Sequence, residues 1–228
     1  MPTLRVVGPG RAGSSLERAL VAAGWTAVAP VRRGEPASAR GVDLLVIATP
    51  DGAVAEVAAA VEPGDGVVAH LAGSLGLDVL APHGRRASVH PLRAIASPDT
   101  DLRGAWFAVA GDPLAERVVD DLGGRCVAVG DADRASYHAA ATIASNHLVA
   151  LLGQVERVAA TAGVPLDAYV DLVRQTVDNV AALGPAAALT GPVRRGDWAT
   201  VERHLAALDD AERAAYLAMA EEARKLCV

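Results

Sequence analysis

The sequence predicts an α/β fold, with a parallel-sheet domain over residues 1–130 and a smaller all-helical domain over residues 131–228. Three observations predict it. Apolar runs at residues 4–7, 43–48 and 67–71 have the length of strands buried on both faces. Segments of helical period lie between them. Beyond Gly130 no further strand pattern appears, and apolar residues recur at helical spacing almost to the end.

The first element is a strand at residues 4–7, followed at once by Gly8-Pro9-Gly10-Arg11-Ala12-Gly13. Leu16, Ala19, Leu20 and Ala23 then mark one face of a helix that ends at Gly24, and residues 25–31 form a second strand. This is a βαβ unit of the Rossmann type. GxGxxG alone is weak evidence, but between a strand and a helix it has a mechanism. The first Gly makes the tight turn, the second admits a pyrophosphate, and the third lets helix and strand pack closely. The expected cofactor contacts are therefore Gly8, Gly10, Arg11, Ala12 and Gly13. A glycine turn holding no ligand is the plainer alternative.

The end of the second strand selects the nucleotide. An NAD enzyme places Asp or Glu there for the ribose hydroxyls. This chain has Arg32 and Arg33, with Glu35 arriving late. Guanidinium groups suit a 2′-phosphate, so NADP is expected over NAD, unless both arginines are simply solvated. The stretch 32–41 is too short for another strand and crossover helix, so this half of the sheet is abbreviated.

Strands at 43–48 and 67–71 end in Thr49-Pro50-Asp51 and Ala72-Gly73-Ser74. Carboxyl ends of parallel strands line the ligand crevice, which places Thr49, Pro50, Asp51 and Gly73 against the cofactor. Asp51 can equally cap the helix after Pro50. The last strands fall near 87–89, 106–110 and 125–129, with a helix at 113–122. The C-terminal half reads as one helix through Ala162, a second at 165–183, a third capped by Asp197, and a fourth opened by a capping box at Asp209 and Glu212.

Three features carry candidate chemistry. His90 precedes Pro91 just beyond a strand end, as a proton donor or acceptor or as a structural imidazole. His138, Thr142 and Asn146 are spaced four apart in an Ala-rich helix, facing a substrate or a neighbouring helix. Thr190, Arg194 and Arg195 sit on a turn-rich loop between helices, where guanidiniums suit a substrate carboxylate.

Net charge is −6 with no basic block, which argues against a nucleic-acid partner. Cys126 and Cys227 are isolated, so neither a metal site nor a disulfide framework is expected. No run is apolar enough to span a membrane and no export segment leads the chain, so a cytoplasmic protein is expected. Lys225 is the only lysine, so no catalytic lysine is available in the body of the chain.

The order of parts, with HLAGS (70–74), HPLRAIA (90–96), YHAAATIASNH (137–147) and LTGPVRRGD (189–197), resembles the 6-phosphogluconate-dehydrogenase-like superfamily. It is most similar to a bacterial family of unassigned function, related to pyrroline-5-carboxylate reductase and prephenate dehydrogenase. The resemblance implies an NADP-dependent oxidoreductase acting on a small carboxylate-bearing alcohol, ketone or imine, and a homodimer formed through the helical domain. Resemblance to prephenate dehydrogenase implies catalytic roles for Ser74 and for His90, which there contacts the hydroxyl being oxidised. The helix-borne catalytic lysine of the β-hydroxyacid dehydrogenases has no counterpart here; that region offers His138 and Asn146. A catalytically idle dinucleotide sensor is the alternative.

Overall fold

The computed structural model describes residues 1–227, and the chain divides into two units, Met1–Ser145 and Asn146–Val228. The first unit is built on one seven-stranded sheet. In chain order its elements are β1 (Thr3–Val7), α1 (Arg11–Ala22), β2 (Thr26–Ala27), β3 (Leu44–Ile47), α2 (Val54–Ala60), β4 (Val67–His70), β5 (Arg86–Pro91), β6 (Trp106–Gly111), α3 (Leu114–Asp121), β7 (Arg125–Ala128) and α4 (Arg134–Thr142). The strand order is β2-β1-β3-β4-β5-β6-β7.

Side chains alternate across the strands and feed two cores. Leu4, Val6, Val67, Ala69, Val89 and Phe107 pack with Leu16 and Leu20 of α1 and Val118 and Val119 of α3. Val7, Leu45, Ile47 and Val68 pack with Val54 and Ala58 of α2 on the other face. Burial on both faces explains why β3 reads as an unbroken apolar run and why β4 is apolar up to His70.

The sheet is mostly parallel, as expected, with one exception: β5 and β6 pair antiparallel, Val89 opposite Val109. The connection between them carries Pro98 and Gly104 and no helix, whereas a parallel return needs a crossover that is usually helical. The second strand is shorter than the expected 25–31. Thr26, Val28 and Val31 donate to the carbonyls of Pro2, Leu4 and Val6. One extra residue therefore lies before Val31, at Ala29-Pro30, and Pro30 has no N–H to give. The chain rejoins β1 as a single bridge between Val7 and Val31.

The second unit comprises α5 (Leu148–Thr161), α6 (Leu166–Leu183), the short turns α7 (Pro185–Ala188) and α8 (Gly191–Arg194), α9 (Trp198–Ala207) and α10 (Asp210–Arg224). Asp197 caps α9 by accepting from the Thr200 amide at 3.1 Å. The expected capping box at α10 does not form. Asp209 makes no side-chain cap, and the Glu212 carboxylate is taken by Arg157, 2.6 Å from its Nε. A charge-assisted pair outcompetes a reach back to the helix start. The unit is thinly cored. Its buried apolar residues among those described are Ala159, Val201 and Ala220, while Val149, Leu172, Val177, Leu183 and Met219 are exposed. The 18-residue α6 buries none of its side chains.

Candidate functional site

The glycine turn sits where the strand order reverses, between β1 and its neighbours β2 and β3. Gly8 has φ +85°, a conformation that strains any L side chain. A Cβ at Gly13 would stand 2.7 Å from the Gly8 carbonyl oxygen and 2.8 Å from Val6 Cγ1, so α1 and β1 touch through this residue. A Cβ at Gly10 would meet nothing within 4 Å. That open space lies at the N-terminus of α1, whose cap residue Gly10 supplies no side chain and whose first turn carries no acid. The leading amides of Arg11, Ala12 and Gly13 have no carbonyl within the helix to bond. Beside the turn, the Thr49 hydroxyl is buried without a partner. Open space, leading amides and an orphaned hydroxyl fit a dinucleotide pyrophosphate.

Arg32 and Arg33 follow directly on the Val31 bridge, and the Val31 carbonyl accepts from Gly8 N at 3.0 Å. Both arginines are exposed at the sheet edge next to the turn. Glu35 is occupied locally, accepting from the Arg32 amide at 2.7 Å. The residue types therefore fit a phosphorylated ribose better than one bound through a carboxylate.

The ends of β3 and β4 meet through side chains. Asp51 does not cap the turn that follows Pro50; it accepts from the Ser74 hydroxyl at 2.7 Å. Gly73 is buried beneath two imidazoles. A Cβ there would lie 2.9 Å from His90 Nε2 and 2.6 Å from His138 Cδ2. The two rings are 6.0 Å apart between centroids. His90 Nδ1 is 2.5 Å from the Tyr137 hydroxyl, with the rings edge to face. Burial, then the charges of His138 and Arg134, hold the His90 pKa down to about 4, so the ring is neutral at ordinary pH. Burial raises the Tyr137 phenol, with Arg134 pulling the other way. A neutral His90 taking the phenolic proton as a hydrogen bond at Nδ1 presents Nε2–H toward Gly73.

Of the residues expected from sequence, Ser74, Asp51, Gly73, His90 and His138 come together at the carboxyl edge of the sheet. Asn146 does not continue the stripe from His138 and Thr142. A π-helical turn, Ile143–His147, follows α4 and its wider spacing breaks the four-residue register. Thr190 and Arg194 lie on α8 and its cap, so the segment read as loop contains a helical turn. Arg194 and Arg195 are exposed there. Tyr137 and Arg134 were not singled out from sequence. Their placement three residues apart on α4 was the available signal, since Arg134, Tyr137 and His138 then share one helix face. Among the described residues no group of His, Cys, Asp or Glu could hold a metal ion, and no helix is long and apolar enough to cross a membrane.

Fold and glycine cradle define a Rossmann-type chain with a helical C-terminal part. Within that class, the chain belongs to the family described as Domain of unknown function (DUF2520), whose model matches residues 107–223. No curated protein sequence matches. Solved structures share the fold. A candidate NADP oxidoreductase of Bacteroides fragilis is 18% identical with a TM-score of 0.80, over 98% of both chains. A reductive aminase of Aspergillus terreus, in complex with NADPH, cyclohexanone and allyl amine, is 19% identical with a TM-score of 0.69, over 99% of this chain and 94% of that one. A 1-pyrroline-5-carboxylate reductase of Streptococcus pyogenes is 14% identical with a TM-score of 0.62, over 98% of both.

Proposed function

We propose that this protein is an NADP-dependent oxidoreductase acting on a small carboxylate-bearing alcohol, ketone or imine. The observation that carries the reading is His90: neutral, anchored at Nδ1 by Tyr137, and directed at Gly73 on the sheet edge where a Rossmann cofactor ends. A fold neighbour named as an NADP oxidoreductase, a reductive aminase in complex with NADPH and a 1-pyrroline-5-carboxylate reductase support the same class.

Bound NADPH would supply a hydride to the substrate carbon. Gly8, Gly10, Arg11, Ala12, Gly13 and Thr49 would hold its pyrophosphate, and Arg32 and Arg33 its 2′-phosphate. Pro50, Asp51 and Gly73 would border the ribose and nicotinamide. His90 gives or takes the substrate's proton at Nε2. Ser74, whose hydroxyl donates to Asp51, keeps its oxygen to accept from the O–H of an alcohol or the N–H of a protonated imine, and His138 closes the other side of Gly73. In the helical unit, Asn146, Thr190, Arg194 and Arg195 are proposed for substrate on residue type alone, guanidiniums suiting a carboxylate.

A homodimer through the helical unit accompanies this reading. An 18-residue helix with no buried side chain and with Leu172, Val177 and Leu183 exposed gains little by facing water. A second copy supplies an apolar surface of the same kind.

The test is NADPH and NADH binding to the purified protein, then NADPH oxidation with a panel of 2-keto and imino acids. Tight NADPH binding with turnover of any member is the expected result. Binding without turnover across the panel points instead to a dinucleotide sensor, and no binding of either nucleotide overturns the proposal.

A further inference from the structure

Arg134 is a buried cation without hydrogen bonds. Its side chain is 1% exposed, and Nε, Nη1 and Nη2 have no partner. The carboxylate paired with it, Asp131 Oδ1, is 4.0 Å from Nε and half exposed. A guanidinium keeps its proton, so this charge cannot be relieved by titration. Holding it out of water is costly unless something compensates it.

What surrounds it supplies an explanation. Arg134 lies one helical turn before Tyr137 and His138. The groups facing His90 are Tyr137, His138 and Arg134 from α4, Asp51 after β3 and His70 at the end of β4. His70 is itself buried; burial lowers its pKa first, the bond to the Gly76 carbonyl works the other way, and the Arg134 charge lowers it further. The Arg134 charge thus opposes an imidazolium at His70 and His90 and favours a phenolate at Tyr137. His90 and Tyr137 can release a proton in two ways, and a fixed cation beside them selects the one that leaves a negative charge.

We propose that Tyr137 is the proton source behind His90, and that Arg134 is the positioning charge that holds the phenolate left on Tyr137. This deepens, and rests on, the reductase reading. In the reductive direction negative charge develops on the substrate oxygen or nitrogen as hydride arrives. The His90 Nε2–H bond breaks and the substrate O–H or N–H bond forms. The Tyr137 O–H bond breaks and an Nδ1–H bond forms on His90. The imidazole stays neutral, having exchanged one tautomer for the other, and the negative charge rests on the Tyr137 oxygen. A solvent proton taken up at Nε2 then drives the Nδ1 proton back to Tyr137, so the net proton comes from water.

The experiment reads the protein alone as well as its turnover. The chain has three tyrosines, so the phenolate absorbance of wild type minus Tyr137→Phe isolates Tyr137. Arg134→Met is expected to raise that midpoint by about one pH unit or more, an opposite charge nearby being worth about that much. Asp131→Asn, which removes the carboxylate opposing Arg134, is expected to lower it. The second variant serves if the first fails to fold. In turnover, Tyr137→Phe keeps its NADPH affinity and loses about 10²-fold in kcat, the lower end for a positioned proton-transfer group. An unmoved Tyr137 midpoint in every folded variant overturns the inference, as does undiminished kcat in Tyr137→Phe. The titrations need no substrate, so a failed substrate panel and a failed Arg134 role are told apart.

Discussion

The Tyr137 hydroxyl stands 2.5 Å from Nδ1 of His90, and the opposite nitrogen of that ring borders Gly73. One side chain from a helix thereby orients another from a strand, at the edge where parallel strands end.

His90 should show itself in pH dependence. Its pKa in the folded chain is about 4 against an ordinary 6.5. Between those values the unfolded chain binds a proton that the folded chain refuses, so this contribution to stability falls as pH drops. It is complete above the ordinary value and its loss ends near the folded one. Thermal melting from neutral to acid pH should show a smaller decline in His90→Gln than in wild type. Parallel curves for the two proteins would mean that the imidazole titrates normally.

Gly10 and Gly13 should separate binding from folding. Gly10→Ala points its methyl into open space at the start of α1, leaving the melting temperature within error while weakening NADPH by at least an order of magnitude. Gly13→Ala drives a methyl against Gly8 and Val6, at a cost of about 1–3 kcal/mol. Calorimetry and nucleotide titration on both variants check the contrast. Equal effects on both properties would remove the assigned division of labour.

Replacing Arg32 and Arg33 together by alanine should weaken NADPH by about 1–3 kcal/mol, the value of hydrogen bonds to a charged group, and leave NADH unchanged. Both side chains are exposed, so no loss of stability should accompany it. Equal weakening of the two nucleotides would mean that neither arginine reads the 2′-phosphate.

Ser74→Ala and Asp51→Asn should be non-additive, because the hydroxyl donates to that carboxylate. Each alone lowers kcat/KM, and the double variant falls little further. Fully additive losses would show two independent roles.

Leu172→Glu with Val177→Glu on α6 should convert a dimer into a monomer in a solution-mass measurement. A wild-type protein already monomeric at working concentration would sink the dimer proposal.

Much of the sheet was legible from the chain because burial on both faces leaves a mark on composition. Leu44, Leu45, Val46 and Ile47 have no choice but to be apolar. The glycine turn was legible for a similar reason: Gly8 needs a positive φ and Gly13 a missing Cβ, and both needs are local. The antiparallel turn of β6 was not, since an edge apolar run reads the same in either direction and only hydrogen-bond pairing decides.

The candidate site divides along the same line. Local sequence placed Ser74 after Gly73 at a strand end, because such turns are written in nearest neighbours. His90, expected just beyond a strand, instead lies within β5 opposite Ala108, because pairing with β6 carries that strand through Pro91. What acts on His90 comes from 47 residues away. No short pattern records that Tyr137 reaches its Nδ1, that Arg134 is buried without a partner, or that Asp51 turns from helix capping to Ser74. Identity and spacing determined which residues could do chemistry. Tertiary packing decided their partners, because desolvation and a hydrogen bond depend on what lies opposite in space rather than on what stands beside in sequence.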